Sequence, residues 1–195
     1  SSDVCSSDLQ TAFGWFLNVY IEIFRGTPMI VQSMVIFYGS AQAFNISLDR
    51  TWAAIFIVSI NTGAYMSEIV RGGILAVDPG QFEAATALGM THGQTMRKVV
   101  LPQVVRNILP ATGNEFVINI KDTSVLNVIS VVELYFTGNT IATQNYQYFP
   151  TFTIIAVIYF VLTFTITRIL RYIERRLDSD TYTTGANQMQ VNEVK

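Results

Sequence analysis

From Leu134 to Thr167 the chain runs 34 positions without an Asp, Glu, Lys or Arg. No strand of ordinary length, about five or six residues, uses up such a run, whereas a helix crossing a bilayer needs about 20 apolar residues. Three further windows have the same character. Gly26 to Leu48 holds no charge over 23 positions and Thr51 to Ser67 none over 17. Val99 to Ile120 holds only Arg106 and Glu115. Hydropathy runs of this length define an all-α, polytopic integral membrane protein, with four transmembrane helices expected at about 27–46, 52–70, 102–120 and 149–168.

Composition agrees and removes other classes. Charged residues make up 13% of the 195, against about 25% in soluble domains, and mean hydropathy is +0.37. Twelve basic residues face 14 acidic ones, so the chain lacks the cationic excess of a nucleic-acid binder. One cysteine, Cys5, and one histidine, His92, exclude a disulfide framework and a zinc cluster within the chain.

Lys and Arg are retained in short cytoplasmic loops. With the segment before the first span inside, ten of the 12 basic residues fall inside, Arg50 and Lys121 alone outside. The carboxyl terminus is therefore expected in the cytoplasm. Residues 1–9, SSDVCSSDL, share no apolar pattern with the rest of the chain and read as a non-native segment. Residues 10–22 have the pattern of a short amphipathic helix, and 178–195 that of a polar cytoplasmic tail, which leaves 10–177 as the membrane domain.

The loop at about 72–101, between the second and third expected spans, carries two helix starts. Asp78 with Pro79 and Gln81 forms one capping pattern, and Thr91 with Gln94 another. Gly89 between them is a natural stop, and Ala84, Ala85 and Leu88 make a small apolar patch. Two short capped helices around a glycine bend cannot span a bilayer. They fit a folded connector or a docking element whose small side chains let a partner approach the backbone.

Within that loop EAATALGMTHGQTMRKVVLP, Glu83 to Pro102, resembles the signature of membrane subunits of bacterial ATP-binding-cassette importers, met here at Glu83, Ala84, Ala85, Gly89, Val99, Leu101 and Pro102. FRGTPMIVQ from Phe24, GAYMSEIVRGGI from Gly63 and KDTSVLNVIS from Lys121 are similar to the polar amino-acid permeases of the histidine and glutamine type. The resemblance implies a type I importer transmembrane-domain fold in a bacterial inner membrane. Family members usually have five spans, so the first is expected to be missing here. The family role implied is the translocation pathway of an ATP-driven amino-acid importer. Its partners would be a second permease subunit, like or unlike this one, two ATPase subunits docked on Glu83, Ala84, Ala85, Leu88, Gly89, Leu101 and Pro102, and an extracytoplasmic amino-acid-binding protein. No phosphate-cradling G-x-x-x-x-G-K-[ST] sequence occurs, so ATP and Mg are expected on the partner ATPase, with no cofactor and no catalytic residue in this chain. A secondary transporter and a non-catalytic structural subunit are the competing readings. Neither requires the loop signature.

Polar groups inside hydrocarbon are costly and normally face an interior. On that ground Asn61, Thr62, Asn114, Glu115 and Asn119, with Lys121 and Asp122 at the outer end of the third span, are the candidates for lining a solute path, interhelical hydrogen bonding being the plain alternative. Glu68 and Arg71, three apart, are expected to pair as a structural ion pair.

Overall fold

A computed structural model describes residues 2–193, with side chains described from 14 to 176. Every regular element among the described residues is helical. In chain order these are α1 (Ser2–Gly26), α2 (Met29–Phe44), α3 (Arg50–Leu75), α4 (Pro79–Ala87), α5 (His92–Thr95), α6 (Leu101–Asp122), α7 (Leu134–Asn145) and α8 (Tyr148–Glu193). A wide π-helical turn, Met96–Val100, carries α5 into α6, and a 3-10 segment, Thr123–Ile129, comes after α6. Residues 1–9 and 178–195, set apart by sequence, lie outside the described side chains.

The contacts divide the chain into two units, one of residues 1–67 and 118–159, the other of 68–117 and 160–195. In the first unit, Ala53, Ala54 and Ile57 of α3 pack with Leu126 and Ile129 of the 3-10 segment, and Met29, Ile36 and Phe37 close over them. The small residues on α3 permit that approach. Local chemistry sets the boundaries. Pro28 supplies the extended residue before α2, Asn45 ends α2 in the left-handed region (φ 54°), and Asp49 Oδ1 accepts from Thr51 N and Trp52 N at 2.9 and 3.1 Å to start α3. Glu133 does the same for α7, accepting from Tyr135 N and Phe136 N at 2.7 and 2.6 Å.

In the second unit Val77, Val100 and Val104 form a small core with Phe82, Met96 and Ile108 around it. Gly73 allows the close packing of α3 on α6. A Cβ placed there would run into the Ile108 side chain, and the Gly73 carbonyl accepts from Asn107 Nδ2 at 3.4 Å. The expected ion pair is present: Arg71 Nε donates to Glu68 Oε1 at 2.9 Å and Arg71 Nη2 to Glu68 Oε2 at 2.9 Å.

By length and composition α3 and the Tyr148–Arg176 part of α8 are long and apolar enough to cross a membrane, and a third span arises if His92–Ile129 and Leu134–Asn145, bent by 54°, count as one. The apolar runs predict four separate long spans. The difference has a physical source: α2 has only 16 residues, about 24 Å at 1.5 Å per residue, against a hydrocarbon core of about 30 Å. Only 6% of the apolar window of α8 is buried, against 28% for α3, so α8 presents most of its Phe, Ile and Val side chains to the surroundings, as a lipid-facing helix does.

Candidate functional site

The loop of the second unit is built as its sequence requires, with one difference. Asp78 Oδ1 accepts from Gly80 N at 2.8 Å and Pro79 occupies the first turn, so α4 has a side-chain cap, but among the described residues the return bond expected from Gln81 is not made. The reciprocal box belongs to α5, where Thr91 Oγ1 accepts from Gln94 N and Gln94 Oε1 accepts from Thr91 N. Between them Gly89 stands at φ +75°, its N–H bonded to the Thr86 carbonyl and the Met90 N–H to the Ala85 carbonyl. That pair of bonds is a Schellman ending, and it requires the left-handed conformation glycine adopts without strain.

The signature residues divide between the two sides of α4. Ala85 is turned inward and 3% exposed, while Glu83 and Ala84 are exposed and Leu88 is 82% exposed at the helix end. Leu101 and Pro102, at the start of α6, are exposed as well. The expected patch of Ala84, Ala85 and Leu88 is therefore not one surface. Ala85 secures the helix, and Glu83, Ala84 and Leu88 are left on show. A Leu with four-fifths of its surface uncovered, on a helix held by caps at both ends, is a rigid exposed apolar element.

The intramembrane candidates fall in both units. In the first, Asn61 is buried (8% exposed); its Nδ2 donates to Gln32 Oε1 at 3.0 Å and to the Phe24 carbonyl at 3.4 Å. Gln32 Nε2 in turn donates to the Phe24 and Thr27 carbonyls and to Thr27 Oγ1, at 2.8 to 2.9 Å. The two amides close the carboxyl end of α1, whose last carbonyls have no helical partner. Asn61 is thus committed through its donors to the fold. Sequence does not single out Gln32, because a lone Gln in an apolar run carries no motif; its place at the end of FRGTPMIVQ is the signal that was there to use.

Thr62 Oγ1 donates to Asn119 Oδ1 at 3.1 Å. Since Thr62 is at the centre of Arg50–Leu75, Asn119 lies beside mid-α3, and Lys121, which is exposed, and Asp122, half-buried, come within a turn of it. The apolar pattern predicts them at the outer end of a span beginning at 102. In the structure Lys121 and Asp122 are the last two residues of α6 (Leu101–Asp122), whose first turns, with Val104 and Ile108, pack into the core of the loop with Val77 and Phe82.

In the second unit Asn114 is exposed and Glu115 buried, 8% exposed. The preceding Gly113 faces Leu170 and Glu174 of α8, just past Thr167 where the uncharged run stops. Glu115 is therefore near that end of the run rather than deep beyond it. A hydrogen-bonded group also missed by sequence is Glu133, which besides capping α7 accepts from the Tyr159 hydroxyl at 3.0 Å.

A helical membrane subunit carrying a doubly capped, exposed loop helix is the class these features define. The profile of binding-protein-dependent transport system inner membrane components matches residues 8–179, and the chain belongs to that family, the multi-pass inner-membrane permeases of ATP-binding-cassette importers. It is 41% identical over 173 residues to the glutamine transport system permease protein GlnP of Escherichia coli K12, covering 86% of this chain and 79% of the relative. It is 36% identical over 177 residues to the arginine transport system permease protein ArtQ of Bacillus subtilis, covering 91% and 81%. Among solved structures it is similar to an amino acid ABC transporter with histidines, at 45% identity and TM-score 0.77, covering 82% of this chain and 74% of that one. The inward-facing MetNI methionine ABC transporter, at 20% identity and TM-score 0.70, shares the fold. The fold is the transmembrane domain of type I importers.

Proposed function

We propose that the chain forms, with a second permease subunit, the translocation pathway of an ATP-driven importer of polar amino acids, and that α4 and its flanks dock on an ATPase subunit. The observation that carries the docking reading is the exposed face of Glu83, Ala84 and Leu88 on a helix fixed by Asp78 and Gly89. Small side chains let the partner close on the backbone, Leu88 fills an apolar hollow, and Glu83 meets a cation. Because α5 and the π turn run directly into α6, a push on the loop is passed into the first turns of α6.

Two ATPase subunits bind and hydrolyse ATP with Mg, and this chain contributes no catalytic group. An extracytoplasmic binding protein delivers the solute, and the carboxyl terminus is cytoplasmic. In the first unit the available chemistry suits a zwitterion, Lys121 for a carboxylate and Asp122 for an ammonium, with Thr62 and Asn119 as neutral hydrogen-bonding groups; in the second, Glu115 suits an ammonium and Asn114 adds a neutral group. The amino-acid assignment draws on relatives whose names specify glutamine and arginine.

The test is reconstitution. The full chain, in liposomes with its ATPase and binding protein, is expected to accumulate a polar amino acid only when ATP is supplied on the loop side. Uptake that persists without ATP and depends on an ion gradient would make the protein a secondary transporter.

A further inference from the structure

Between α6 and α8, in the second unit, a cavity of about 240 Å³ is lined by Asn114, Val117, Thr167, Leu170, Arg171 and Glu174 among others. A second cavity of about 280 Å³ shares Gly113, Leu170 and Glu174 with it, and its remaining wall is largely apolar, formed by Leu109, Thr112, Phe116 and Ile173. We propose that this crevice binds the headgroup of a phosphatidylethanolamine, the phosphodiester on Arg171 and the ammonium on Glu174, with the start of an acyl chain along the apolar wall.

Three observations support this occupant. The first concerns charge. Arg171 and Glu174 are three residues apart, as are Glu68 and Arg71, yet among the described residues the second pair is joined and no ion pair joins the first. Their order along the helix explains the difference in part, since a cation placed before an anion runs against the favourable direction. One cation and one anion that line the same cavity without meeting leave space for a ligand bearing both charges.

The second concerns position. The uncharged run of α8 ends at Thr167, and Arg168, Arg171, Arg175 and Arg176 lie beyond it, which sets the crevice at the level where headgroups begin. Two of these arginines are engaged on their own helix. Arg168 stacks over Phe164 at 4.9 Å, and Arg176 donates to the Tyr172 hydroxyl from Nε at 3.0 Å and from Nη2 at 2.7 Å. Arg171 is the guanidinium that lines the cavity, and a guanidinium binds a phosphodiester through paired N–H donors.

The third is the apolar wall. A free amino acid would match the two charges but would leave Leu109, Phe116 and Ile173 facing water. A lipid covers them, and Asn114 and Thr167 add neutral hydrogen-bonding groups near the phosphate.

Native mass spectrometry of the delipidated full-length protein, titrated with single phospholipids, tests the proposal. Phosphatidylethanolamine is expected to bind about tenfold more tightly than phosphatidylcholine, whose trimethylammonium has no N–H to give Glu174, and more tightly than phosphatidylglycerol, which has no cation. Arg171→Gln and Glu174→Gln, both conservative, are each expected to weaken it about tenfold, with unchanged elution on gel filtration showing that each is folded. Equal binding of ethanolamine and choline lipids overturns the proposal, as does full retention in both variants. Displacement of the lipid by millimolar glutamine or arginine also overturns it, and assigns the crevice to solute. The amino-acid importer reading is tested separately by uptake, so either can fail alone.

Discussion

The Thr62 hydroxyl donates to the Asn119 amide oxygen at 3.1 Å, tying the centre of α3 to α6 inside the first unit. Side-chain hydrogen bonds between membrane helices contribute on average about 0.6 kcal/mol and at most about 1.7. A double-mutant cycle of Thr62→Val and Asn119→Leu, read by thermal unfolding in detergent, should give a coupling in that range. Additive single effects would mean the bond does not hold the helices.

The Gln32–Asn61 pair should matter more, since removing the Gln32 amide takes the acceptor from buried Asn61 and the side-chain donor from the Thr27 carbonyl. Gln32→Leu is expected to cost about 1 to 3 kcal/mol. The loss is seen as a lower unfolding temperature. In a transport assay it should leave the KM for solute unchanged in whatever protein remains folded, because both amide groups serve the end of α1. A selective change in KM would return Asn61 to the solute path.

How far the sequence revealed these relationships depends on their range. Helix starts at Asp78 and Thr91 and the bend at Gly89 were legible, because a cap is local chemistry over three or four residues. The spans were legible as apolar runs, but how their ends pack was not. Leu101 to Ile108 is apolar enough to pass for the start of a span, yet Val104 and Ile108 are used to close the loop core with Val77 and Phe82. That choice is tertiary, as is the bond that brings Asn119 against the middle of α3. Glu133 carries no periodicity or motif, and although Gln32 ends FRGTPMIVQ, only the fold shows what either of them holds.

Gly72 and Gly73 provide a matched pair. A methyl on Gly72 meets nothing within 4 Å, whereas one on Gly73 would collide with Ile108. Gly73→Ala should destabilise the protein by about 1 to 3 kcal/mol through overpacking between α3 and α6. Gly72→Ala should be neutral or slightly stabilising, since alanine favours helix. Thermal unfolding of both variants checks this, and equal effects would contradict the close approach.

Glu115 is expected to act on solute charge. Glu115→Gln nearly keeps volume and removes a buried carboxylate, so ATP-driven uptake should fall more for cationic amino acids than for neutral ones. Parallel uptake assays with arginine and glutamine measure the difference. Unchanged uptake of both makes the residue structural.

Leu88 and Glu83 are exposed and take no part in the loop core, so changing them leaves the fold intact while altering the face offered to a partner. The wild-type chain, co-expressed with its ATPase and extracted in detergent, is expected to bring the ATPase down in stoichiometric amount. With Leu88→Asp or Glu83→Arg the ATPase should be lost from the purified fraction, while the permease still inserts in the membrane and elutes as a single species. Undiminished co-purification of the ATPase with both variants would contradict the docking role of the loop.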